Sequence, residues 1–230
     1  MKKTATLVAL LLAAWSGWGA AWAATSEENR DQRTVLLEVT PLGVHPATLL
    51  AFPMLGAGVY LGKNWLVAAE YGSHNYKLDT GSNNGKVDGT FTNQGISARW
   101  FPGTNSFNLG LAVNQRTWDV NFNYTITSTI PGVGEIPVKA NLKTEAIVPA
   151  FIIGNQWMTD FGMVIGLDWL IVSAPASSKV SGSYNLGALS GAATQADRNE
   201  ADKQLKDGGD FLNMVSGFPG LLVLTVGFAF

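Results

Sequence analysis

A chain of 230 residues, 47% hydrophobic but only 14% charged, is long enough for one domain, and its charged fraction falls well below the roughly 25% of soluble domains. The formal net charge of −2 and the lack of any basic patch exclude nucleic acid as an expected partner, and a cysteine count of 0 excludes disulfide staples and CxxC redox chemistry. Phosphate-cradling loops, dinucleotide fingerprints and nucleophile elbows are missing as well, so no cofactor or enzymatic activity is expected.

Residues 1–23 read as a secretory signal. Lys2 and Lys3 supply the positive start, Leu7–Ala14 the apolar stretch, and Ala21-Trp22-Ala23 an A-x-A cleavage site. The apolar stretch is short against the roughly 20 residues that a spanning helix needs. Losing the two lysines leaves about 13 basic against 17 acidic groups and a net charge of about −4. Residues 24–32, polar throughout their TSEENRDQ core, are predicted to be a flexible periplasmic lead-in, and 33–230 a single domain.

From there on, apolar residues recur at every second position, the mark of strands with two unlike faces. Strands are predicted at about Thr34–Gly43, Leu49–Leu61, Trp65–Tyr76, Gly89–Phe101, Phe107–Trp118, Ala140–Ile153, Thr159–Val172 and Pro219–Phe230. Trp65, Val67, Ala69 and Tyr71 oppose Ala68, Glu70, Gly72 and His74; Phe107, Leu109, Leu111 and Val113 oppose Asn108, Gly110, Ala112, Asn114, Arg116 and Trp118. Leu142, Ala146, Val148, Ala150 and Ile152 are assigned to the greasy face, against Asn141, Lys143 and Glu145. Phe161, Met163, Ile165, Leu167, Trp169 and Ile171 are assigned there too, against Gly162, Val164, Gly166, Asp168, Leu170 and Val172. The less greasy face is dominated by Gly, Ala and Asn with isolated charges. That suits a crowded barrel lumen better than the solvated face of a sandwich.

Short breaks at Gly62-Lys63-Asn64, Pro102–Ser106 and Gly154–Met158 alternate with connections at His45–Thr48, Lys77–Asp88, Asp119–Lys139 and Ser173–Phe218. Tight turns at one end and longer loops at the other fit an all-β, eight-stranded antiparallel transmembrane barrel with long outer loops and both termini on the turn side. The last loop, with Ala201, Leu205 and Leu212, is expected to hold one or two helical turns broken at Gly208-Gly209 in an otherwise solvated segment. Phe211–Phe230 carries no charge, yet Pro219, three glycines and the strict alternation toward the end favour a strand over a spanning helix.

The predicted lumen charges are Glu38, Glu70, Arg99, Arg116, Lys143, Glu145 and Asp168, with Glu70–Arg99 and Lys143–Asp168 as expected pairs on neighbouring strands. They form either a structural plug or a narrow ion path; the plug is the plainer reading for so small a barrel. Trp65, Trp100, Phe101 and Trp157 lie beside the tight turns and are predicted to form an aromatic girdle at the membrane surface. His45 and His74 are the only histidines, too few and too isolated for a metal site. Glu70, Ser73 and His74 contain the residue types of a membrane-embedded lipid hydrolase, but strand geometry puts Ser73 on the opposite face.

The terminal LLVLTVGFAF, with Leu222, Leu224, Val226, Phe228 and Phe230 alternating to the end, resembles the closing strand of bacterial outer-membrane barrels. ISARWFPGTNSFNLGLAV, at Ile96–Val113, is similar to a strand–turn–strand of small OmpA/OmpX/OmpW-type barrels. The resemblance implies the Gram-negative outer membrane, lipid and lipopolysaccharide as surroundings, and recognition of the closing strand by the periplasmic assembly machinery. It also implies a monomer without the soluble peptidoglycan-binding domain of longer relatives. A structural or surface-binding role through the outer loops is expected, with a narrow pore for small or apolar solutes as the alternative and a lipid hydrolase as the third reading.

Overall fold

The computed structural model describes residues 26–44, 53–79, 86–129, 131–187, 190–191, 193–217 and 220–230. The predicted signal sequence and the whole His45–Thr48 connection lie outside them. A short helix, α1 (26–32), precedes the sheet. The strands are β1 (Val35–Val44), β2 (Met54–Leu61), β3 (Trp65–Asp79), β4 (Lys86–Trp100), β5 (Phe107–Thr127), β6 (Glu135–Met158), β7 (Met163–Ser173), β8 (Ser177–Asn185) and β9 (Gly220–Ala229), with helix α2 (Gln195–Ser216) between the last two.

Each strand pairs antiparallel with the next from β1 to β7; β9 then joins β7 to β1, and the sheet closes as a ring of eight. Closure is what a sheet in lipid demands, since an edge strand would leave its N–H and C=O groups unsatisfied there. The ninth strand, β8, continues the line of β7: β6 pairs β7 through Ala150–Met158 and β8 through Lys139–Ile147. The interruption lies at Ala174-Pro175-Ala176, beside Pro149 of β6, where both prolines lack the N–H a ladder needs.

Tight turns hold one end. Gly62 (φ 65°) and Gly162 (φ 98°) occupy left-handed conformations that a side chain would strain. The third turn lies at 159–162, not at Gly154–Met158, because β6 runs on to Met158. The opposite end is lopsided. The expected Asp119–Lys139 loop is largely strand: β5 and β6 stay paired up to Ile126↔Ile136 and Thr127↔Glu135. Their inward residues Val120, Ile126, Ile136 and Val138 are buried, and β3 and β4 rise beside them, so a tall wall stands over a low one built from β9, β1 and β2.

Against that wall lies α2. Thr194 caps it and Asp197 completes a capping box, each side chain accepting the other's backbone N–H. The helix runs unbroken through Gly208-Gly209, contrary to the sequence expectation. A side chain at Gly209 would come within 2.8 Å of Val180 Cγ1, so the roughly 1 kcal/mol helix penalty of a glycine is offset by close packing. Ala201, Leu212 and Val215 are buried against inward residues of β5 and β6, including Trp118 and Leu142; the segment is therefore a packed helix and not a solvated loop.

Two phase assignments are corrected. Directly paired residues share a face, and Arg116↔Ala146 and Ala112↔Ala150 put Ala146, Val148, Ala150 and Ile152 inside together with Leu142, leaving Lys143 and Glu145 outside. In β7 the register shifts between Ile153↔Leu170 and Gly154↔Asp168, so Trp169 is an extra residue. This bulge turns Ile171 inward against Ile152 and Val172 outward.

Because the chain has no native cysteine, single-cysteine variants test the phase directly. A charged maleimide is expected to label Lys143→Cys at close to the free-thiol rate and Leu142→Cys at least about tenfold more slowly, given that Leu142 is 1% exposed. Equal or reversed rates overturn the register. The α2 cap gives a second test. Hydrogen bonds from the Thr129 and Thr194 backbone N–H groups hold the Asp197 carboxyl down at about 2, so its stabilisation is complete above the ordinary value of about 3.9 and is lost as pH falls through 2. A nitroxide at Gln195→Cys should stay immobile from neutral pH to about 4 and loosen toward 2. With Asp197→Asn added, that step should disappear.

Candidate functional site

The barrel interior is layered. At the turn end α1 reaches all three turns: Arg30 Nε donates to the Lys63 carbonyl at 2.9 Å and Nη2 to that of Asn105 at 3.2 Å, while Asn29 Nδ2 donates to the Met158 carbonyl at 3.2 Å. Ser26 Oγ accepts from the Met158 N–H at 3.1 Å, and Lys63 pairs with Glu27 at 2.7 Å. Arg30 lies 4.1 Å over the Phe101 ring in a cation–π contact. Where a flexible lead-in was expected, a helix stoppers the barrel.

Phe101 itself is 0% exposed and faces the lumen, so it leaves the predicted girdle. With Leu36, Tyr60, Leu66, Met158 and Val164 it forms an apolar layer across the barrel. Trp65 and Trp100 do face outward, their rings 6.4 Å apart, and Trp157 shares the outward phase of β6. Val226, Phe228 and Phe230 of the closing strand are exposed on the outer face, and Leu224 is half-buried there; the Leu222 side chain lies outside the described residues.

Above the apolar layer sits the charged one. Arg99 Nη1 and Nη2 donate to the two Asp168 carboxylate oxygens at 2.5 and 2.9 Å, and Nη1 also reaches Asn108 Oδ1 at 3.4 Å. Arg99 stands on β4 and Asp168 on β7, with β5 and β6 between them in the ring, so the pair is a strut across the lumen rather than a rung between neighbours. Glu38 (7% exposed) and Glu70 stand nearby, both interacting electrostatically with Arg99. Neither expected pair, Glu70–Arg99 or Lys143–Asp168, is formed as a salt bridge.

Glycines make this layer possible. Register places Gly227, Glu38, Gly56, Glu70, Gly95 and Asn114 in one row across successive strands, so long polar side chains alternate with none. A β-carbon at Gly56 would lie 2.7 Å from Glu38 Cγ, and one at Gly154 would lie 2.5 Å from Asp168 Oδ1.

Next comes a cavity of ≈ 70 Å³, lined among others by Thr40, Glu70, Asn93, Ser97, Asn114 and Thr225. Ala112, Ala150 and Ile152 narrow the barrel beside it. At its roof Arg116 Nη1 donates to the Ser216 carbonyl at 2.7 Å, and Ser173 Oγ to that of Gly217 at 3.1 Å, seating the C-terminal end of α2 in the mouth. A cation on the last carbonyls of a helix also complements its dipole.

Of the seven predicted lumen charges, Glu38, Glu70, Arg99, Arg116 and Asp168 point inward. Lys143 and Glu145 do not: they pair with each other at 2.7 Å on the outer face, half exposed. They stand above the apolar belt, where Gln94–Gln115 and Asn141–Asp119 hydrogen bonds at 2.8 Å replace the exposed Ile96, Leu111, Val113, Ile147 and Phe151. Sequence reasoning missed Asn93, Ser97 and Arg30, although the first two share the parity of Arg99 in β4 and were legible on that ground. Ser73 faces out and bonds Thr92 Oγ1 at 3.3 Å, on the other side of the sheet from Glu70 and His74, so these three residues do not assemble into a hydrolase site.

No protein-family model matches the chain, and neither does any curated protein sequence. Among solved structures it resembles Acinetobacter baumannii CarO2, with a TM-score of 0.50 at 15% identity over 86% of this chain and 98% of that one. Acinetobacter baumannii CarO gives 0.45 at 16% identity over 86% and 97%. The likeness is one of fold: the chain has the architecture of a small outer-membrane β-barrel.

The strut predicts a strong asymmetry between single and double changes. Asp168→Ala, which strands a buried guanidinium, should destabilise the barrel by about 3–5 kcal/mol in urea unfolding from detergent or vesicles. Arg99→Met with Asp168→Leu should recover most of that loss. A single variant within about 1 kcal/mol of wild type would show that the pair is solvated.

Proposed function

We propose that this protein is a plugged barrel of the Gram-negative outer membrane that acts structurally and as a surface-binding platform through the tall wall and α2 at its open end. One observation carries the reading: the lumen is blocked at three levels, by α1 with Arg30, by the apolar layer around Phe101 and Leu66, and by α2 seated through Arg116. A pore of eight strands has little spare width in any case. The work left to the molecule is then at its surface.

In this reading the turn end and both termini face the periplasm, and the belt from Trp65 and Trp100 to Val113 and Ile147 contacts lipid and lipopolysaccharide. On β6 that belt runs outward-facing from Ile147 to Trp157, within reach of the roughly 9–11 residues that a tilted membrane strand requires. The closing strand ending at Phe230 serves recognition by the assembly machinery, and the barrel works as a monomer. Above the belt, the Asn-, Thr- and Asp-rich outer face of β3–β6 presents side chains already tied in cross-strand pairs such as Thr90–Asn75 at 2.7 Å, a stiff polar surface that loses little entropy on binding.

Planar bilayer recording decides between this reading and a narrow pore. Wild-type protein is expected to give no unitary steps, and replacing α2 by a short Gly/Ser linker should leave the bilayer quiet, because the layer at the turn end persists. Reproducible steps from the wild-type protein would overturn the plugged reading.

A further inference from the structure

The tall wall ends, at β8, in an unpaired edge. β8 pairs with β6 through Lys139–Ile147 and, among the described residues, with no other strand. Which of its backbone groups point to the open side follows from β6. Gln156 donates its N–H to the Ser106 carbonyl beside β5, so even-numbered residues of β6 turn their backbone groups to β5 and odd-numbered ones to β8. The antiparallel register pairs those odd residues with Ser177, Lys179, Ser181, Ser183 and Asn185. The N–H and C=O groups of Ser178, Val180, Gly182 and Tyr184 therefore face away from β6, and no backbone group among the described residues bonds them.

Edges left open in water are normally blunted by prolines, bulges, clustered charge or a covering segment. β8 uses none of the first three: SSKVSGSYN holds no proline and a single charge, and its register with β6 runs without a shift. Every residue from Ser177 to Ser183 is exposed, and most are serine or glycine, too short to obstruct an arriving strand. α2 packs on the inner face, with Gly209 against Val180 and Tyr184 Oη donating to the Arg198 carbonyl at 3.4 Å. The edge is thus ordered before anything binds, which lowers the entropy cost of binding. On the outer face Lys179 stands opposite Glu145, but that carboxylate is held by Lys143 at 2.7 Å, and Lys179 forms no salt bridge among the described residues.

We propose that β8 takes up an extended segment of another protein as a further strand, with an acidic side chain of that segment beside Lys179. The occupant follows from the chemistry of the edge. Donors and acceptors that repeat at every second residue along a line are matched by another β-strand, not by a lipid or a saccharide. A second copy in the same membrane does not fit. Its barrel would be related by an axis along the membrane normal, and strands tilted by roughly 35–45° would then cross at about 80° instead of pairing. The proposal deepens the surface-binding reading and rests on the outward orientation of the tall wall.

The test uses the full chain in detergent and a fluorescent peptide of sequence KANLKTEAI, that of residues 139–147, which already complements β8 residue by residue. Fluorescence anisotropy should show saturable binding with a Kd below about 1 mM. Val180→Pro removes one N–H from the open side and none from the β6 ladder, a change that edge strands tolerate, and should weaken binding at least about fivefold. Ser178→Pro does the same at the neighbouring open-side position and carries the test if Val180→Pro fails to assemble. Lys179→Glu should weaken binding of KANLKTEAI about threefold and favour KANLKTKAI, in which lysine replaces the glutamate. Absence of saturable binding, or equal affinity in the proline variants, would overturn the proposal. So would a wild-type dimer that Val180→Pro turns into a monomer, since the edge would then belong to a second copy. Added outside Gram-negative cells with short lipopolysaccharide, the same peptide should stain those making the wild-type protein. Binding in detergent without staining would uphold strand addition and refute the outward orientation of the tall wall instead, so the two failures are told apart.

Discussion

A backbone amide in hydrocarbon has nothing to bond except another backbone group, and that constraint organises this molecule from end to end. Between the turns and the top of the low wall the sheet has no edge, because β9 bridges β7 and β1. The rule relaxes where the lipid ends. Only there does the seventh strand break, at Ala174-Pro175-Ala176, and only beyond it does β8 pair on one side alone. The outer face changes character at the same height, from Val113 and Ile147 to Gln115 and Glu145. Backbone pairing and side-chain chemistry thus mark the same boundary independently.

Closing eight strands leaves a lumen too narrow for full-sized side chains on every strand. The solution here is alternation around the ring as well as along each strand. Glu38, Glu70 and Asn114 stand in one cross-strand row because Gly227, Gly56 and Gly95 stand between them. The same device serves the strut, where Gly154 gives way to Asp168. The glycines act by what they omit, and none of these four needs an unusual backbone conformation.

That division explains which parts of the structure the chain discloses in its own letters. In β9, large residues at Val226, Phe228 and Phe230 alternate with Thr225, Gly227 and Ala229, so the outward phase is unambiguous. In β6 both phases are apolar over the same stretch: Ala146, Val148, Ala150 and Ile152 on one, Ile147, Pro149, Phe151 and Ile153 on the other. Lys143 and Glu145 then suggest the lumen by their charge alone, and pairing with β5 is what shows them to lie outside, above the lipid. A bulge such as that at Trp169 has no local signature, since it is defined by two strands and not one. The partner of Arg99 was hidden for a related reason: neighbours in sequence suggest neighbours in the sheet, whereas a narrow lumen lets residues from β4 and β7 meet across its axis. Asp119, Asn121 and Asn123 disguised the upper part of β5 as a loop, although Val120, Phe122, Tyr124 and Ile126 keep the period of two.

The two stoppers differ in kind, and the difference has consequences. α1 is fastened to every turn by hydrogen bonds from side chains that are themselves buried, including Asn29 and Arg30, so its removal would expose polar groups at three places together. α2 packs chiefly through apolar contacts on the tall wall and touches the mouth through its last turn, where Arg116 and Ser173 grip two carbonyls. Losing those two contacts does not unfold the helix, which remains anchored at its other end by the Thr129–Asp197 bonds. A cost concentrated in one turn is smaller than one spread over three, so any opening of this barrel begins at the α2 end, while the apolar layer and α1 still separate the chamber from the turn side.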